Sequence, residues 1–240
     1  MTVEVVASGS TGNAYVLRSE GVAPLLLECG ITYKDLQVAL AHQVTSLAGC
    51  VVSHEHGDHS KAAQKLTQAG VRVYATAGTL AALNLTGHRA KPLTFLERTR
   101  IGSWSVVPFK AVHDAAEPAG FLIEDAAGDR LLFITDSAWS AYTFPGVNLV
   151  LIECNYDTSM LNAAVMKGKL PSQVAARTIK NHMSLANCIK TLQANDLSQC
   201  RQIVLLHLSA GNSNEKNFKS AVEAATGIPA SIAPEKGVIA

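Results

Sequence analysis

The chain of 240 residues is poor in aromatic side chains and has no pair of cysteines in a C-x-x-C pattern. Aromatic residues make up 5% of the sequence, so we expect a core of valine, leucine, isoleucine and alanine. The five cysteines are odd in number, and three of them lie inside apolar runs. This usage favours reduced, buried thiols in a cytoplasmic protein over a disulfide framework.

Long hydrophobic runs are also absent. No apolar run approaches the roughly 18–20 residues that a membrane span needs. The N-terminus lacks a basic segment followed by an apolar one, so we expect no secretory signal. We therefore expect a soluble protein with no membrane partner, located in the cytoplasm, or in the host cytoplasm if a virus encodes it. With 48% hydrophobic residues, the chain can form a sizeable core, and its length predicts a single domain over residues 1–240.

The net charge of +1 hides strongly charged segments. Residues 61–110 carry a net charge of +7, residues 111–160 carry −7, and residues 161–220 carry +6. An acidic centre between basic segments fits a metal site that faces a polyanion. Ordinary solvated helical faces would give the same composition, so both interpretations stay open.

Histidine and carboxylate side chains are concentrated in the stretch S-H-E-H-G-D-H-S at positions 53–60, directly after an apolar run. On a strand, His54, His56 and Asp58 would share one face, whereas on a helix His56 would point away from His54. We expect a tight loop at a strand end, where Gly57 gives the backbone the freedom to turn these side chains inward. Imidazole and carboxylate without thiolate suit Zn²⁺, Mn²⁺ or Fe²⁺.

Further candidate ligands follow apolar runs that read as strands. His113, Asp136 and His207 lie at or just past such runs, and His182 lies between two predicted helices. Each alone is more typical of a core or turn residue than of a ligand, but together with the loop they match what two metals about 3.5–4 Å apart need, including a bridging carboxylate. The seven candidate metal ligands are His54, His56, Asp58, His59, His113, Asp136 and His207.

The order of the predicted elements indicates an α/β fold with two packed sheets covered by helices. We predict strands over residues 3–7, 14–18, 25–29, 49–52, 71–75, 104–112, 120–124, 130–135, 147–153 and 202–208. We predict helices over residues 32–43, 61–69, 78–85, 171–181, 185–194 and 215–225, with Ser60 as the cap of the second and Ser184 as the cap of the fifth.

These motifs resemble the metallo-β-lactamase fold superfamily over nearly the whole chain. The resemblance rests on the H-x-H-x-D-H loop, the later histidine, the aspartate after a strand and the final histidine on a strand. It implies a four-layer αββα sandwich with the metals at one edge, and Glu28 as a support of the histidine loop. It also implies that His54, His56 and His113 hold one metal, that Asp58, His59 and His207 hold the other, and that Asp136 bridges them.

Within that superfamily, the chain resembles the small stand-alone bacterial 5′→3′ DNA exonucleases related to tRNase Z. The shared segments are residues 8–13, residues 153–157, His182-Met183-Ser184 and His207-Leu208-Ser209. The chain departs from that branch at Tyr156, usually histidine, and at Asn181, usually glycine.

His182 distinguishes phosphoryl from acyl chemistry. In the phosphodiesterase members its counterpart contacts the scissile phosphate and protonates the leaving oxygen, a role that general acid catalysis also requires. We therefore predict that a metal-bridging hydroxide oriented by Asp58 attacks phosphorus and that His182 is the general acid. Candidate substrate contacts are Ser10, Asn13, Asn155, Ser184 and Asn212.

The leading hypothesis is a metal-dependent hydrolase that acts as a nuclease, most simply a DNA-binding 5′→3′ exonuclease with two zinc or manganese ions. Nucleic acid, with DNA favoured over RNA, is the expected substrate. The alternatives are a small-molecule hydrolase of the same fold, acting on a thioester, a lactone or a cyclic phosphodiester, and a binding protein without activity. The sequence leaves the native metal, the strand preference and the oligomeric state open.

Overall fold

The computed structural model describes residues 1–234 and 236–239 of the chain. The chain divides into two units. Unit 1 contains Met1–Lys110, Ala115–Arg130 and the described part of Ala233–Ala240, and unit 2 contains Ala111–Asp114 and Leu131–Ile232.

Unit 1 is built, in its described residues, around a mixed sheet of seven strands. These are β1 (Thr2–Ala7), β2 (Ala14–Arg18), β3 (Leu25–Leu27), β4 (Gly49–Val51), β5 (Val73–Thr76), β6 (Ala90–Leu93) and β14 (Gly237–Ile239). Their order across the sheet is β14-β1-β2-β3-β4-β5-β6. The pairs from β14 to β3 are antiparallel and those from β3 to β6 are parallel. The carboxyl ends of β3, β4 and β5 therefore meet at one edge of the sheet.

Three further strands and four helices complete unit 1 in the part of the chain that the structure describes. The antiparallel strands are β7 (Thr99–Ile101), β8 (Trp104–Lys110) and β9 (Ala119–Glu124), and the helices are α1 (Tyr33–Ala39), α2 (Gly57–Ser60), α3 (Ala63–Gln68) and α4 (Ala77–Ala82), with a 3₁₀ turn at Val44–Ser46. One core cluster joins Val16, Leu26 and Cys50 of the sheet to Leu36 of α1 and Leu66 of α3. As expected for an aromatic-poor chain, the buried members of this cluster are aliphatic side chains and two cysteines.

Unit 2 combines parallel strands with helices that connect them. The strands are β10 (Arg130–Ile134), β11 (Leu149–Glu153), β12 (Gln202–Leu206) and β13 (Ala230–Ile232), and the helices are α5 (Thr158–Met166), α6 (Ser172–Asn181), α7 (Leu185–Ala194) and α8 (Glu215–Thr226). In this unit β11 lies between β10 and β12, and β13 pairs with β12, all in parallel. The strands are almost continuously apolar, as is typical of parallel strands covered on both faces.

The helices near the predicted site differ in part from the sequence-based expectation. α7 spans Leu185–Ala194 as predicted, and the Ser184 side chain accepts a hydrogen bond from the backbone N–H of Asn187. The predicted cap at Ser60 is wrong, because its hydroxyl donates back to the carbonyl oxygens of Glu55 and His56 and α3 begins only at Ala63. A serine hydroxyl that bonds to carbonyls behind it does not cap the helix ahead.

α1 is shorter than predicted, and several elements were not predicted at all. It ends at Ala39 because Ala41 and His42 adopt left-handed backbone angles, with φ of 47° and 61°. The elements without a prediction are α2, α5, β6, β7, β13 and β14. Within residues 1–234 and 236–239, no helix is both long enough and apolar enough to cross a bilayer.

Candidate active site

The histidine loop, Ser53–Ser60, follows β4 at the carboxyl edge of the unit 1 sheet and ends in the single turn of α2. Nε2 of His54 lies 3.1 Å from Nδ1 of His56, and the ring centroids of His54 and His59 are 4.3 Å apart. Nε2 of His59 lies 3.4 Å from a carboxylate oxygen of Asp58. Two nitrogens on one tetrahedral zinc lie about 3.3 Å apart, given Zn–N bonds of about 2.0–2.1 Å. The loop therefore presents nitrogen atoms at a spacing that suits a metal ion.

The tight turn of this loop depends on close packing against Gly30 rather than on the conformational freedom of a glycine within the loop. Gly57 does not adopt a left-handed backbone, and a Cβ atom built there would meet no neighbour, so the expectation for this residue is wrong. A Cβ atom at Gly30 would instead lie 1.6 Å from the carbonyl oxygen of Asp58. The same oxygen accepts hydrogen bonds from the backbone N–H and the side-chain amide of Asn13, at 2.7 and 3.2 Å.

Glu28 supports the loop from beneath. It follows β3, is completely buried, and has a φ of 63°, which is uncommon for a residue with a side chain. Its Oε1 accepts a hydrogen bond from the backbone N–H of Ser53 at 3.1 Å, and its Oε2 lies 3.4 Å from Nδ1 of His59. Burial raises the pKa of the Glu28 carboxyl, and the contacts with His59 and Ser53 offset only part of that rise.

A second group, the strand-end cluster, consists of Asp136, Glu153, His182 and His207 in unit 2. One potential ligand atom from each of these residues lies within 4.8 Å of those of the other three. Asp136 follows β10, Glu153 ends β11 and His207 follows β12, so three members stand at the carboxyl ends of adjacent parallel strands. Such an edge is the usual place for a ligand in parallel sheets. Asp136 and His207 also have left-handed backbone angles, with φ of 39° and 57°, a form of strain that is concentrated at functional sites.

Asp136 and His207 form the tightest pair in this cluster. Nδ1 of His207 lies 2.6 Å from Oδ1 of Asp136. Burial lowers the pKa of His207, but the charge of Asp136 and hydrogen bonds to Asp136 and Glu153 outweigh it and raise that pKa to about 10. A proton and a metal ion compete for the same imidazole nitrogen, so a site with this affinity for a proton is also electrostatically suited to a cation.

His113 lies beside the same aspartate, with its Nε2 atom 3.7 Å from Oδ2 of Asp136. Its Nδ1 atom donates a hydrogen bond to the carbonyl oxygen of Asn181 at 2.9 Å. Because a carbonyl only accepts, this bond fixes the tautomer in which Nε2 carries the lone pair that binds metals. Burial lowers the pKa of His113 and so favours the neutral form that a metal requires.

Glu153 is a functional candidate that sequence reasoning missed. It is completely buried; its Oε1 accepts a hydrogen bond from Nδ1 of His182 at 2.7 Å, and its Oε2 accepts from the backbone N–H groups of Ser137 and Met183 at 2.9 and 3.1 Å. Burial raises the pKa of Glu153, but hydrogen bonds from His182 and His207 outweigh it and the net shift is downward. The signal in the sequence was the carboxylate that ends the apolar run Leu149–Ile152, the same pattern that identified Asp136.

The ionised Glu153 in turn changes His182. Burial lowers the pKa of His182, but the hydrogen bond and charge of Glu153 outweigh this and the net shift is upward. With Nδ1 committed to Glu153, the protonated ring carries its second N–H on Nε2. His182 is therefore arranged to donate a proton from Nε2.

The remaining predicted contacts lie in loops and turns and at the start of α7. Asn155 donates from its side-chain amide to the carbonyl oxygen of His207 at 2.8 Å, as Asn13 does to Asp58. Ser184 is buried as the cap of α7, and Asn212 donates to the hydroxyl of Ser209. Ser10 is exposed in the turn between β1 and β2.

Comparison with known proteins identifies the family and the fold of the chain. The model of the β-lactamase superfamily domain matches residues 25–208, more than half of the chain. An exodeoxyribonuclease, YycJ of Bacillus anthracis, is 27% identical over 233 residues, which cover 91% of this chain and 86% of that protein. The predicted likeness to bacterial DNA exonucleases is thus confirmed as a likeness in sequence.

Solved structures show the same fold. The metallo-β-lactamase fold protein YhfI of Bacillus subtilis matches with a TM-score of 0.74 at 15% identity, covering 100% of this chain and 99% of that one. The short form of human tRNase Z matches with a TM-score of 0.65 at 16% identity, covering 100% and 99%. The predicted fold class is confirmed. The chain belongs to the β-lactamase superfamily and is a metal-dependent hydrolase with the metallo-β-lactamase fold.

Proposed function

We propose that this protein is a dinuclear-metal phosphodiesterase that degrades DNA as a 5′→3′ exonuclease. The pairing of His182 with the buried, ionised Glu153 carries this proposal. A leaving alkoxide needs a proton, and a histidine with a raised pKa and a donor on Nε2 supplies one. The similarity to the Bacillus anthracis exodeoxyribonuclease supports DNA as the polymer.

The proposed cations would be held by imidazole and carboxylate side chains alone. Imidazole and carboxylate donors without thiolate fit two zinc or manganese ions. The ligands are His54, His56, Asp58, His59, His113, Asp136 and His207. When bound, the two cations would supply a water of lowered pKa and stabilise negative charge on the phosphate.

The protein's own side chains orient the reaction. Asp58 provides a carboxylate beside His59 that accepts a hydrogen bond from the attacking water and fixes its direction. Glu153 fixes the imidazole plane of His182, so that Nε2 faces the leaving oxygen. Ser137 and Met183 hold the Glu153 carboxylate in turn through their backbone N–H groups.

A basic segment of unit 2 suits a polyanion. Residues 161–220 carry a net charge of +6, with Arg177 and Lys180 on α6 directly before His182. The Arg177 side chain is 71% exposed and 3.3 Å from Asp114, which follows His113. Positive side chains so near His182 and His113 in sequence would attract the phosphates of a nucleic acid.

We also propose that residues 1–240 form one domain of this fold and that the protein works in the cytoplasm. All five cysteines are free thiols, and four of them, Cys29, Cys50, Cys154 and Cys188, are buried. Reduced thiols in apolar surroundings are typical of a reducing compartment.

The test is digestion of end-labelled oligonucleotides, single and double stranded, DNA and RNA, with 5′-phosphate or 5′-hydroxyl ends, across Zn²⁺, Mn²⁺ and Mg²⁺. We expect mononucleotides to be released progressively from the 5′ end of DNA. Turnover of a thioester or lactone without any DNA cleavage would instead support a small-molecule hydrolase. Binding of DNA without cleavage under every metal would overturn the assignment of an enzyme that acts on DNA.

A further inference from the structure

Trp139 is an exposed aromatic side chain in a chain that has few of them. The sequence contains two tryptophans, and Trp104 is completely buried, with its Nε1 donating to the carbonyl oxygen of Ala23 at 2.8 Å. Trp139 is 49% exposed and is the only aromatic among the large hydrophobic side chains that are exposed in the described residues. Leaving so large an apolar ring in water forgoes the stabilisation that burial would provide.

The backbone of Trp139 is fixed to the segments that carry His113 and His182. The hydroxyl of Ser137 donates to the carbonyl oxygen of Trp139 at 2.8 Å and accepts from the backbone N–H of Val112 at 2.9 Å. The side-chain amide of Asn187 donates to the carbonyl oxygen of Ala138 at 2.9 Å. Val112 directly precedes His113, and Asn187 lies in α7, which follows His182. An exposed ring is thus held on an anchored backbone rather than on a loose loop.

The distance along the chain places the backbone of Trp139 near the proposed chemistry. Trp139 lies three positions after Asp136. Three residues span at most about 11 Å between Cα atoms. Stacked nucleotides repeat about every 3.4 Å along a strand. The Cα atoms of Trp139 and Asp136 are therefore separated by no more than about three such repeats.

We propose that the indole of Trp139 is a stacking platform for a nucleobase of the polynucleotide substrate, within a few nucleotides of the cleaved bond. The inference rests on the proposed function, because it names how that site holds its substrate. Every base has an aromatic face, so stacking gives affinity without demanding one sequence. An exonuclease needs this combination, since it must accept each new terminal base in turn.

The loop beyond Trp139 supports the assignment. Tyr142 and Phe144 follow within five positions, both half-buried, and the backbone N–H of Phe144 donates to the side chain of Asn195 at 2.8 Å. Three aromatic residues within six positions is a dense group for this sequence. Trp139 alone of the three is exposed, as a ligand-facing member should be.

The test compares a base-bearing strand with an abasic strand of equal length and charge. The probes are a 5′-phosphorylated oligothymidylate with phosphorothioate linkages, which resist cleavage, and the matching strand of abasic sugars. We expect the oligothymidylate to quench the tryptophan fluorescence of the wild-type protein and to bind more tightly than the abasic strand. Trp139→Ala should weaken binding of the oligothymidylate roughly 10-fold, and Trp139→Phe should retain most of the affinity, because base stacking on an aromatic ring is the interaction removed.

The matched control is Met166→Ala, which removes another exposed apolar side chain of unit 2, 88% exposed, outside the strand-end cluster. It should leave the ratio of affinities for the two strands unchanged. Far-ultraviolet circular dichroism checks that each variant is folded. If Trp139→Ala keeps the wild-type ratio, or if the strand binds without quenching, the stacking proposal is wrong.

Cleavage of unmodified DNA, measured in parallel, separates this proposal from the proposed function. Cleavage without quenching would refute the stacking role and leave the nuclease intact. Quenching by oligothymidylate without cleavage of any polynucleotide would refute the nuclease and leave the nucleobase site intact. A blue shift of the fluorescence with rising protein concentration, without nucleic acid, would overturn the stacking role in favour of self-association through Trp139.

Discussion

The histidine loop takes its four candidate ligands from six consecutive residues, whereas the strand-end cluster collects its members from three strand ends and from the turn between α6 and α7. Each group is supported by one completely buried glutamate, Glu28 in unit 1 and Glu153 in unit 2. Burial raises the pKa of Glu28, while hydrogen bonds reverse the same effect for Glu153 and lower its pKa. The surroundings therefore favour the neutral form of the Glu28 carboxyl and the ionised form of the Glu153 carboxyl.

The difference follows from how the chain reaches each group. The histidine loop is held mainly by backbone contacts, through Asn13 and through the close approach of Gly30. Glu153 instead accepts hydrogen bonds from His182, Ser137 and Met183, which lie in two separate segments of the chain. A site built from separate segments of the chain needs a charged group that hydrogen-bonds to several of them at once. A site built from neighbouring residues has less need of such a group.

The largest expected effect tests the strand-end cluster itself. His182→Ala should reduce turnover of DNA by roughly 10²–10⁴, the usual contribution of a general acid. Metal content, measured by atomic emission on the purified protein, should stay at the wild-type level because His182 is not among the proposed ligands. His88→Ala, at an exposed position outside both groups, is the control and should keep wild-type turnover. Loss of metal together with activity would make His182 a ligand rather than the acid.

The next effect tests the packing that holds the histidine loop. Gly30→Ala should lower the free energy of unfolding by about 3 kcal/mol or more, because its methyl group would overlap the backbone carbonyl of Asp58. Gly57→Ala is the matched control, where a methyl group meets open space, and should change that free energy by less than about 1 kcal/mol. Urea unfolding of both variants decides the point. Equal midpoints would show that the loop does not depend on this close approach.

The third effect compares the two glutamates directly. Glu153→Gln should reduce kcat/KM roughly 10–100-fold, the usual cost of losing a group that orients a catalytic or ligating histidine. The amide cannot accept from His182 and from both backbone N–H groups at once, so the pKa of His182 should also fall, which NMR titration of its ring protons measures. Glu28→Gln should cost less than about 10-fold, because burial already favours the neutral form of that carboxyl. Equal losses in the two variants would remove the distinction between the two groups.

The two groups also differ in how far the sequence predicts them. The histidine loop could be recognised because its ligands are neighbours in the chain, and His113, Asp136 and His207 because each stands at or beyond the end of an apolar strand. Glu153 follows the same rule, but it also opens the segment 153–157 shared with the exonucleases, so the sequence alone presents it as part of a motif rather than as a functional group. The roles of Gly30 and Asn13 depend on contacts between segments distant in sequence, which periodicity and spacing do not report.

The smallest effect asks whether the capping of a helix matters more beside one group than beside the other. Ser184 caps α7 two residues after His182, and Thr32 caps α1 two residues after Gly30; each side-chain oxygen accepts from a backbone N–H at 3.2 Å. Ser184→Ala and Thr32→Ala should each lower the free energy of unfolding by about 1 kcal/mol, the usual cost of a lost cap.

Turnover should separate these two matched variants. Ser184→Ala loosens the segment that carries His182, whose ring is oriented by a hydrogen bond to Glu153, so kcat should fall by a factor of about 3 to 10, within the range of lost orienting contacts. Thr32→Ala loosens a helix whose neighbouring loop is held by backbone contacts, so kcat should stay within about 2-fold of wild type, the small change expected away from orienting contacts. Steady-state kinetics on end-labelled DNA, beside urea unfolding, gives both quantities. If both variants lose activity in proportion to stability, the strand-end cluster is no more sensitive to a lost helix cap than the histidine loop. The two groups would then differ only in how their ligands are distributed along the chain.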